Sequence, residues 1–153
     1  MCRPNYVLPS SISPTTATTI IPKSLYFGEE RNMNEYERKV VWALSSMEQI
    51  KLSSMQQIKW WHRNISRQGF QINGSTHAYP DIIAMTVSGK ILMVETKGDH
   101  LNNDESKEKA RIGARWASLA RNTYRYYMVF QTKQPDYPGA VSYNWFIEIL
   151  KGM

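Results

Sequence analysis

Two apolar, largely β-branched runs, Ile82 to Val87 and Lys90 to Thr96, are separated only by Ser88-Gly89. A chain that carries two such runs around a turn dipeptide is held to a β-hairpin, and whatever sheet forms must be built on it. The register then fixes which side chains meet across the ribbon. With a three-residue loop, Val87-Ser88-Gly89, and Gly89 in the left-handed region, Thr86 pairs with Lys90 and Asp81 falls opposite Glu95. Their Cβ atoms then stand roughly 5 Å apart. A two-residue loop on Ser88-Gly89 shifts every pairing by one and sends Asp81 to the other face, unless a bulge near Pro80 restores it. The three-residue loop is the expected one.

Strand alternation sets Ile91, Met93, Glu95 and Lys97 on one side of the second strand and Leu92, Val94 and Thr96 on the other. Glu95 and Lys97 therefore share a face with Asp81. Two adjacent carboxylates repel each other unless a cation lies between them. Hard oxygen ligands with an incomplete shell favour Mg²⁺, which keeps waters and takes substrate phosphate oxygens, and Mn²⁺ is an acceptable substitute. A cation held this way stabilises charge developing on a phosphodiester and lowers the pKa of bound water. Taken one at a time, the ordinary roles are a Pro-Asp turn, a solvated Glu-x-Lys edge and a surface Glu37 beside Arg38 and Lys39. Their joint occurrence on apolar strands points to a metal site.

The stretch YPDIIAMTVSGKILMVETKG resembles the PD-(D/E)XK nuclease signature. The flanking segments IKWWHRN, ETKGDHLNND, SKEKARIGARWASLA and YRYYMVF resemble, more narrowly, the C-terminal endonuclease domain of type III restriction enzyme subunits, over roughly residues 33 to 151. The resemblance implies a restriction-endonuclease-like α/β core and hydrolysis of double-stranded DNA with Mg²⁺ and no covalent intermediate. In that family the Asp, the Glu of ExK and often a Glu on the preceding helix hold the metal, while the Lys orients or deprotonates the attacking water. Position by position these are Asp81, Glu95 and Lys97, with Glu37 as the helical acid, Glu35 as its alternative, and the carbonyl of Thr96 as a further ligand. Carboxylates beside Lys97 raise its pKa and make it a poor base, so water positioning and charge stabilisation come first. The resemblance also implies a separate ATPase/translocase and a methyltransferase subunit as partners. No G-x-x-x-x-G-K-[ST] occurs, since Gly89-Lys90 is followed by Ile91 and lacks the upstream glycine. The chain reads as a nuclease piece or a stand-alone relative.

Of 153 residues, 42% are hydrophobic, enough for one core. Residues 1 to 32 differ from the rest, with Pro4, Pro9, Pro14 and Pro22 in a Ser/Thr-rich leader that reads as a linker or loosely docked tail, and 33 to 153 read as the domain. The leader lacks the apolar core of a secretory signal, and no apolar run approaches the roughly 18 residues that span a bilayer, so a soluble, cytoplasmic protein is expected. The single cysteine, Cys2, excludes an internal disulfide and gives no thiol set for structural zinc with His62, His77 and His100. A net charge of +6 agrees with a polyanionic partner.

Glu35 to about Gln57 reads as a helix with Asn34 as N-cap and Tyr36, Val40, Ala43 or Leu44, and Met47 at helical spacing. SSMEQIKL at 45 to 52 is followed by SSMQQIKW at 53 to 60, six of eight residues identical, which resembles a tandem duplication. Eight extra helical residues add roughly 12 Å and about 80° of rotation, so this segment must loop out or extend the helix without moving Glu37. Ile58 to His62 reads as a strand with Trp60 and Trp61 on opposite faces, both packing. Gly69 to Asn73 reads as a short strand or loop, Tyr124 to Phe130 as a strand, and Ser142 to Lys151 as a closing helix with Trp145, Phe146 and Ile149 inward. From Asn103 or Asp104 to about Ala120 a helix buries Ile112, Trp116 and Leu119. On another face Lys107, Arg111 and Arg115 recur every four residues, suited to a phosphate backbone, with Arg63 as a further contact. The alternative is a solvated face in which Glu108 and Glu105 pair with the row. The order helix, three strands, helix, strand, helix predicts an α/β domain with a mixed central sheet flanked by helices.

Two other function classes compete. A non-catalytic nucleic-acid-binding or assembly module that keeps the fold fits the duplication. A small-molecule hydrolase lacks any Ser/His/Asp or Cys/His grouping.

Overall fold

The computed structural model describes residues 23–25, 33–46, 58–65 and 67–153. Its elements run α1 (Glu35–Ser46), β1 (Ile58–Arg63), β2 (Ile72–Asn73), β3 (His77–Ala78), β4 (Ile82–Thr86), β5 (Ile91–Lys97), a single 3₁₀ turn (Asp99–Leu101), α2 (Asp104–Leu119), β6 (Tyr124–Phe130), β7 (Ala140–Ser142) and α3 (Tyr143–Lys151). Five strands form one mixed sheet in the order β1-β4-β5-β6-β7, while β2 and β3 form a separate ribbon. β4 runs antiparallel to both of its neighbours, β1 and β5, and β5, β6 and β7 are parallel. This is the expected α/β architecture with a mixed central sheet between helices.

The β4–β5 register is the one set by the three-residue loop. Ile82 faces Val94 and Met85 faces Ile91, and the Thr86 N–H donates to the Lys90 carbonyl at 2.8 Å. Gly89 has φ +87°, the left-handed region in which a side chain is strained. Continued one step beyond β4, this register sets Asp81 opposite Glu95.

Each sheet face carries its own core. Leu44, Trp61, Ile82, Leu92, Val94, Val129 and Phe146 are buried under α1 and α3. Ile83, Met93, Trp116, Tyr126, Met128 and Phe130 are buried under α2 and the ribbon. Trp61 and Trp60 divide between the two faces as expected, and Trp61 Nε1 donates to Ser45 Oγ at 2.9 Å. Lys23–Leu25 run along the outer edge of β1, where the Leu25 N–H donates to the Trp61 carbonyl and the Trp61 N–H to that of Lys23. The rest of the leader, and residues 47–57 with most of the duplication and Met47, lie outside the described residues.

Four expectations need correction. β3 and β7 went unpredicted, because runs of two or three residues are too short to show a period. Leu119 is 58% exposed, not buried. α2 lies on the sheet through Ser106, Ala110, Gly113 and Trp116, and a Cβ on Gly113 would stand 2.5 Å from the Tyr126 ring. A helix that approaches by its smallest residues buries a stripe that the large apolar side chains do not mark. Trp145 is 56% exposed, since Phe146 and Leu150 take the inward positions on α3 and the preceding residue is turned about 100° away.

Candidate metal centre

The mouth of the β4–β5 hairpin is assembled from five elements. On its β1 side Asn64, buried just beyond the strand, fixes the approach to Asp81. Its side-chain amide donates to the carbonyls of Pro80 (2.8 Å) and Phe70 (2.7 Å), its Oδ1 accepts from the Phe70 N–H (2.8 Å), and its own N–H donates to the Asp81 carbonyl (2.8 Å). All of the side chain's polar atoms are thus spent on holding one turn. No short-range sequence signal marks Asn64 for this, because its partners lie six and sixteen residues away.

The Asp81 carboxylate turns toward β5, where Oδ2 accepts from the Thr96 N–H at 2.7 Å and from Thr96 Oγ1 at 3.0 Å. In a strand, a residue's N–H and C=O point to the same neighbour, so the Thr96 carbonyl is aimed at the edge that Asp81 occupies. Burial pushes the Asp81 carboxyl up to about 6; the Thr96 N–H pulls against that rise, and the charges of Glu95 and Glu37 add to it.

Glu95 lies on the α2 face with its side chain 5% exposed. Its Oε2 accepts from the Tyr126 hydroxyl at 2.8 Å and its Oε1 is 2.9 Å from the Lys97 ammonium. Burial acts to lower the Lys97 pKa, but Glu95 beside it, with Asp81 and Glu105, outweighs that and holds it above its ordinary value. Burial together with Glu95 keeps the Tyr126 hydroxyl protonated far into the alkaline range. Tyr126 is a partner that the sequence pattern did not reveal. It stands in β6 beside Met93, and only the parallel β5–β6 register brings it to Glu95.

Glu37 sits at the third helical position of α1 and closes a capping box. Its Oε2 accepts from the Asn34 N–H at 2.9 Å, and Asn34 Oδ1 accepts from the Glu37 N–H at 2.8 Å. Its charge is among those that raise the Asp81 carboxyl. Behind the mouth, Asp99 accepts from the N–H groups of Thr132 (3.0 Å) and Lys133 (3.1 Å) and from the Thr132 hydroxyl, tying the turn after β5 to the loop after β6.

Asp81, Glu95, Thr96, Lys97 and Glu37 are therefore brought to one end of the sheet. The acids are not clenched into a cage, since among the described residues no three His, Cys, Asp or Glu side chains are gathered closely enough to hold an ion by themselves. Each carboxylate is instead tied to its own partner: Asp81 to Thr96, Glu95 to Tyr126 and Lys97, and Glu37 to Asn34. The donor set still suits Mg²⁺, which is held by one or two carboxylates with water and substrate oxygens making up the rest. Thr96 uses only Oδ2 of Asp81, leaving Oδ1 as the oxygen for a cation.

The cationic residues are spread more widely. Arg63 ends β1 opposite Ile82, one strand from the mouth. Lys107 Nζ lies 6.0 Å from the Tyr137 ring centroid, while Arg111 and Arg115 are exposed farther along α2. His62 is fully buried, with Nδ1 3.0 Å from the Arg63 carbonyl, a packed strand histidine and not a site residue. No described helix is long and apolar enough to cross a membrane. Comparison of the chain with protein-family models, with curated proteins and with solved structures returns no match.

Proposed function

We propose that this domain is a Mg²⁺-dependent DNA endonuclease with a restriction-endonuclease-like core, resembling the nuclease part of a type III restriction enzyme. The observation that carries the reading is the convergence at the mouth. Asp81 and Glu95 come from adjacent strands in facing register, Lys97 is 2.9 Å from Glu95, and burial with the charges of Glu95 and Glu37 raises the Asp81 carboxyl to about 6. Asp81, Glu95 and the Thr96 carbonyl, with Glu37 behind them, are the groups that would hold Mg²⁺. When bound, the ion would supply charge neutralisation at the phosphate and a more acidic water.

The chain's own groups have separable tasks. Lys97, held protonated by its acidic neighbours, donates hydrogen bonds to the attacking water or a phosphate oxygen and is not the base. Tyr126 holds Glu95 from the far side, and Asn64 keeps Asp81 at the end of β4. Lys107, Arg111, Arg115 and Arg63 are the cations available to a DNA backbone.

Incubation of plasmid DNA with Mg²⁺ tests the reading, with Asp81→Ala and Lys97→Ala as variants. Cleavage by the wild type and its loss by about a thousandfold or more in both variants is expected, the scale of removing a main electrostatic stabiliser. Cleavage that survives both changes refutes the site. A second reading, a non-catalytic nucleic-acid-binding module, draws on the internal partners already taken by every carboxylate, and binding without cutting would favour it.

A further inference from the structure

Lys107, Arg111 and Arg115 on α2 do not take the acidic partners that their sequence neighbours offer. Glu105 is spent on Lys109, 2.6 Å away, and Glu108 Oε1 accepts from Ser75 Oγ of the ribbon at 2.6 Å. Among the described residues no carboxylate forms an ion pair with Lys107, Arg111 or Arg115. Arg111 and Arg115, together with Glu108, line a cleft of about 310 Å³ between α2 and the β2–β3 ribbon, with Asn73 and Gly74 on its other wall and Leu119 at its end. Two exposed guanidinium groups one helical turn apart outnumber the single carboxylate of Glu108, which is turned to Ser75, and suit an anion with a repeat.

The direction of α2 gives that repeat a path. The helix starts beside the mouth, where the charge of Glu105 acts on Lys97. It ends with Trp116 against Tyr124, ring centroids 5.1 Å apart, and Tyr124 is in register with Ile91 at the start of β5. α2 therefore runs from the mouth to the opposite end of the sheet. At 1.5 Å per residue, Arg111 and Arg115 stand about 9 Å and about 15 Å along its axis from Glu105. A DNA strand advances about 3.4 Å per nucleotide, so these distances correspond to about three and about four nucleotides.

Resting on the nuclease reading above, we propose that the face formed by α2 and the ribbon carries the backbone of duplex DNA away from the cut. Arg111 and Arg115 each neutralise a phosphate about three to four nucleotides beyond Glu105, to one side of the scissile position. The grip is independent of sequence, because phosphate contacts position the duplex and read no base. The enzyme then requires duplex on that side of the cut and cannot work from a nearby end.

Binding of a fluorescein-labelled duplex, followed by anisotropy over a series of salt concentrations in EDTA, tests this without any cutting. Arg111→Ala/Arg115→Ala should lower the magnitude of the log K against log salt slope by about 2, close to the 0.9 expected per phosphate. Lys109→Ala, which removes a cation already paired with Glu105, should leave the slope unchanged. Thermal melting of both proteins checks the fold. A slope unaffected by the double change, an equal drop in Lys109→Ala, or a wild type that binds no duplex would each overturn the proposal. With Mg²⁺, duplexes shortened to fewer than about four base pairs on one side of the cut should no longer be cleaved; equal cleavage however close the end stands would overturn it as well. The two readings fail separately. A wild type that never cuts while the double variant loses its slope removes the nuclease and keeps the DNA-binding face. A wild type that cuts with the slope unchanged by the substitutions removes the face and keeps the nuclease.

Discussion

The closed and open ends of the β4–β5 hairpin belong to one ladder and handle polar groups in opposite ways. At the closed end Thr86 does nearly everything within four residues. Its N–H donates to the Lys90 carbonyl, its Oγ1 accepts from the Lys90 N–H at 2.9 Å, and the same oxygen is 2.9 Å from Ser88 Oγ. At the open end the partners come from far along the chain. Asp81 is held by Thr96 fifteen residues on, and Glu95 by Tyr126 thirty-one residues on. The groups at the closed end are neutral and local, whereas those at the mouth are charged, buried and dependent on β1, β6 and α1. A ladder of good register thus delivers two acids to a place where their charge must be offset by Lys97 and by hydrogen bonds from Thr96 and Tyr126.

Lys97→Met puts the greatest strain on that contrast. It leaves Glu95 with Tyr126 alone, a buried carboxylate beside Asp81 with its counter-charge removed. In EDTA the protein should lose about 3–5 kcal/mol of unfolding free energy by urea titration, and excess Mg²⁺ should return part of it. A loss below about 1 kcal/mol would place the mouth on the same footing as an exposed ion pair.

The neighbouring β1–β4 ladder supplies the next test. His62 is buried opposite Ile83, and burial pushes its imidazole down to about 4 from 6.5. The unfolded chain therefore takes up this proton first as the pH falls. The stability tied to neutral His62 is complete above pH 6.5 and disappears as the pH drops through 4, about 3 kcal/mol in all. Urea midpoints measured across that window should fall in the wild type and stay flatter in His62→Gln. Parallel curves would show that acid acts elsewhere.

Gly89→Ala carries the smallest effect. A Cβ there meets nothing within 4 Å, so only the backbone at φ +87° resists it, by about 1–2 kcal/mol. The melting temperature should fall slightly and DNA cleavage by the folded protein should not change, since four further pairs hold the register. Lost cleavage in a folded variant would mean that the mouth depends on the turn after all.

Much of this was legible because the period of a strand is short and its errors are large. A one-residue slip of the β4–β5 register would put Ile83 and Met93 on opposite faces, and with apolar residues on both faces it is the three-residue loop closed by Gly89 that sets Asp81 against Glu95. Asn34 as the α1 cap, Asn103 as the α2 cap and the span Tyr124–Phe130 followed from equally local rules. The same locality explains what was missed. Gly113 and Ala110 make the buried face of α2, and their smallness is informative only once Tyr126 is known to lie beneath them. Asn64 and Tyr126 act on Asp81 and Glu95 through contacts that no spacing encodes.

The sequence by itself determined the hairpin and the charged types at its mouth, and offered the three-residue loop as the expected register, because each rests on local backbone geometry. Only the tertiary structure decided that Tyr126 and Lys97 share Glu95, and that Glu105 and Glu108 turn to Lys109 and Ser75 and not to Arg111 and Arg115. Those outcomes depend on how helices and strands distant in the chain are set against one another, and the electrostatics of a buried group follow from whichever neighbours that packing delivers.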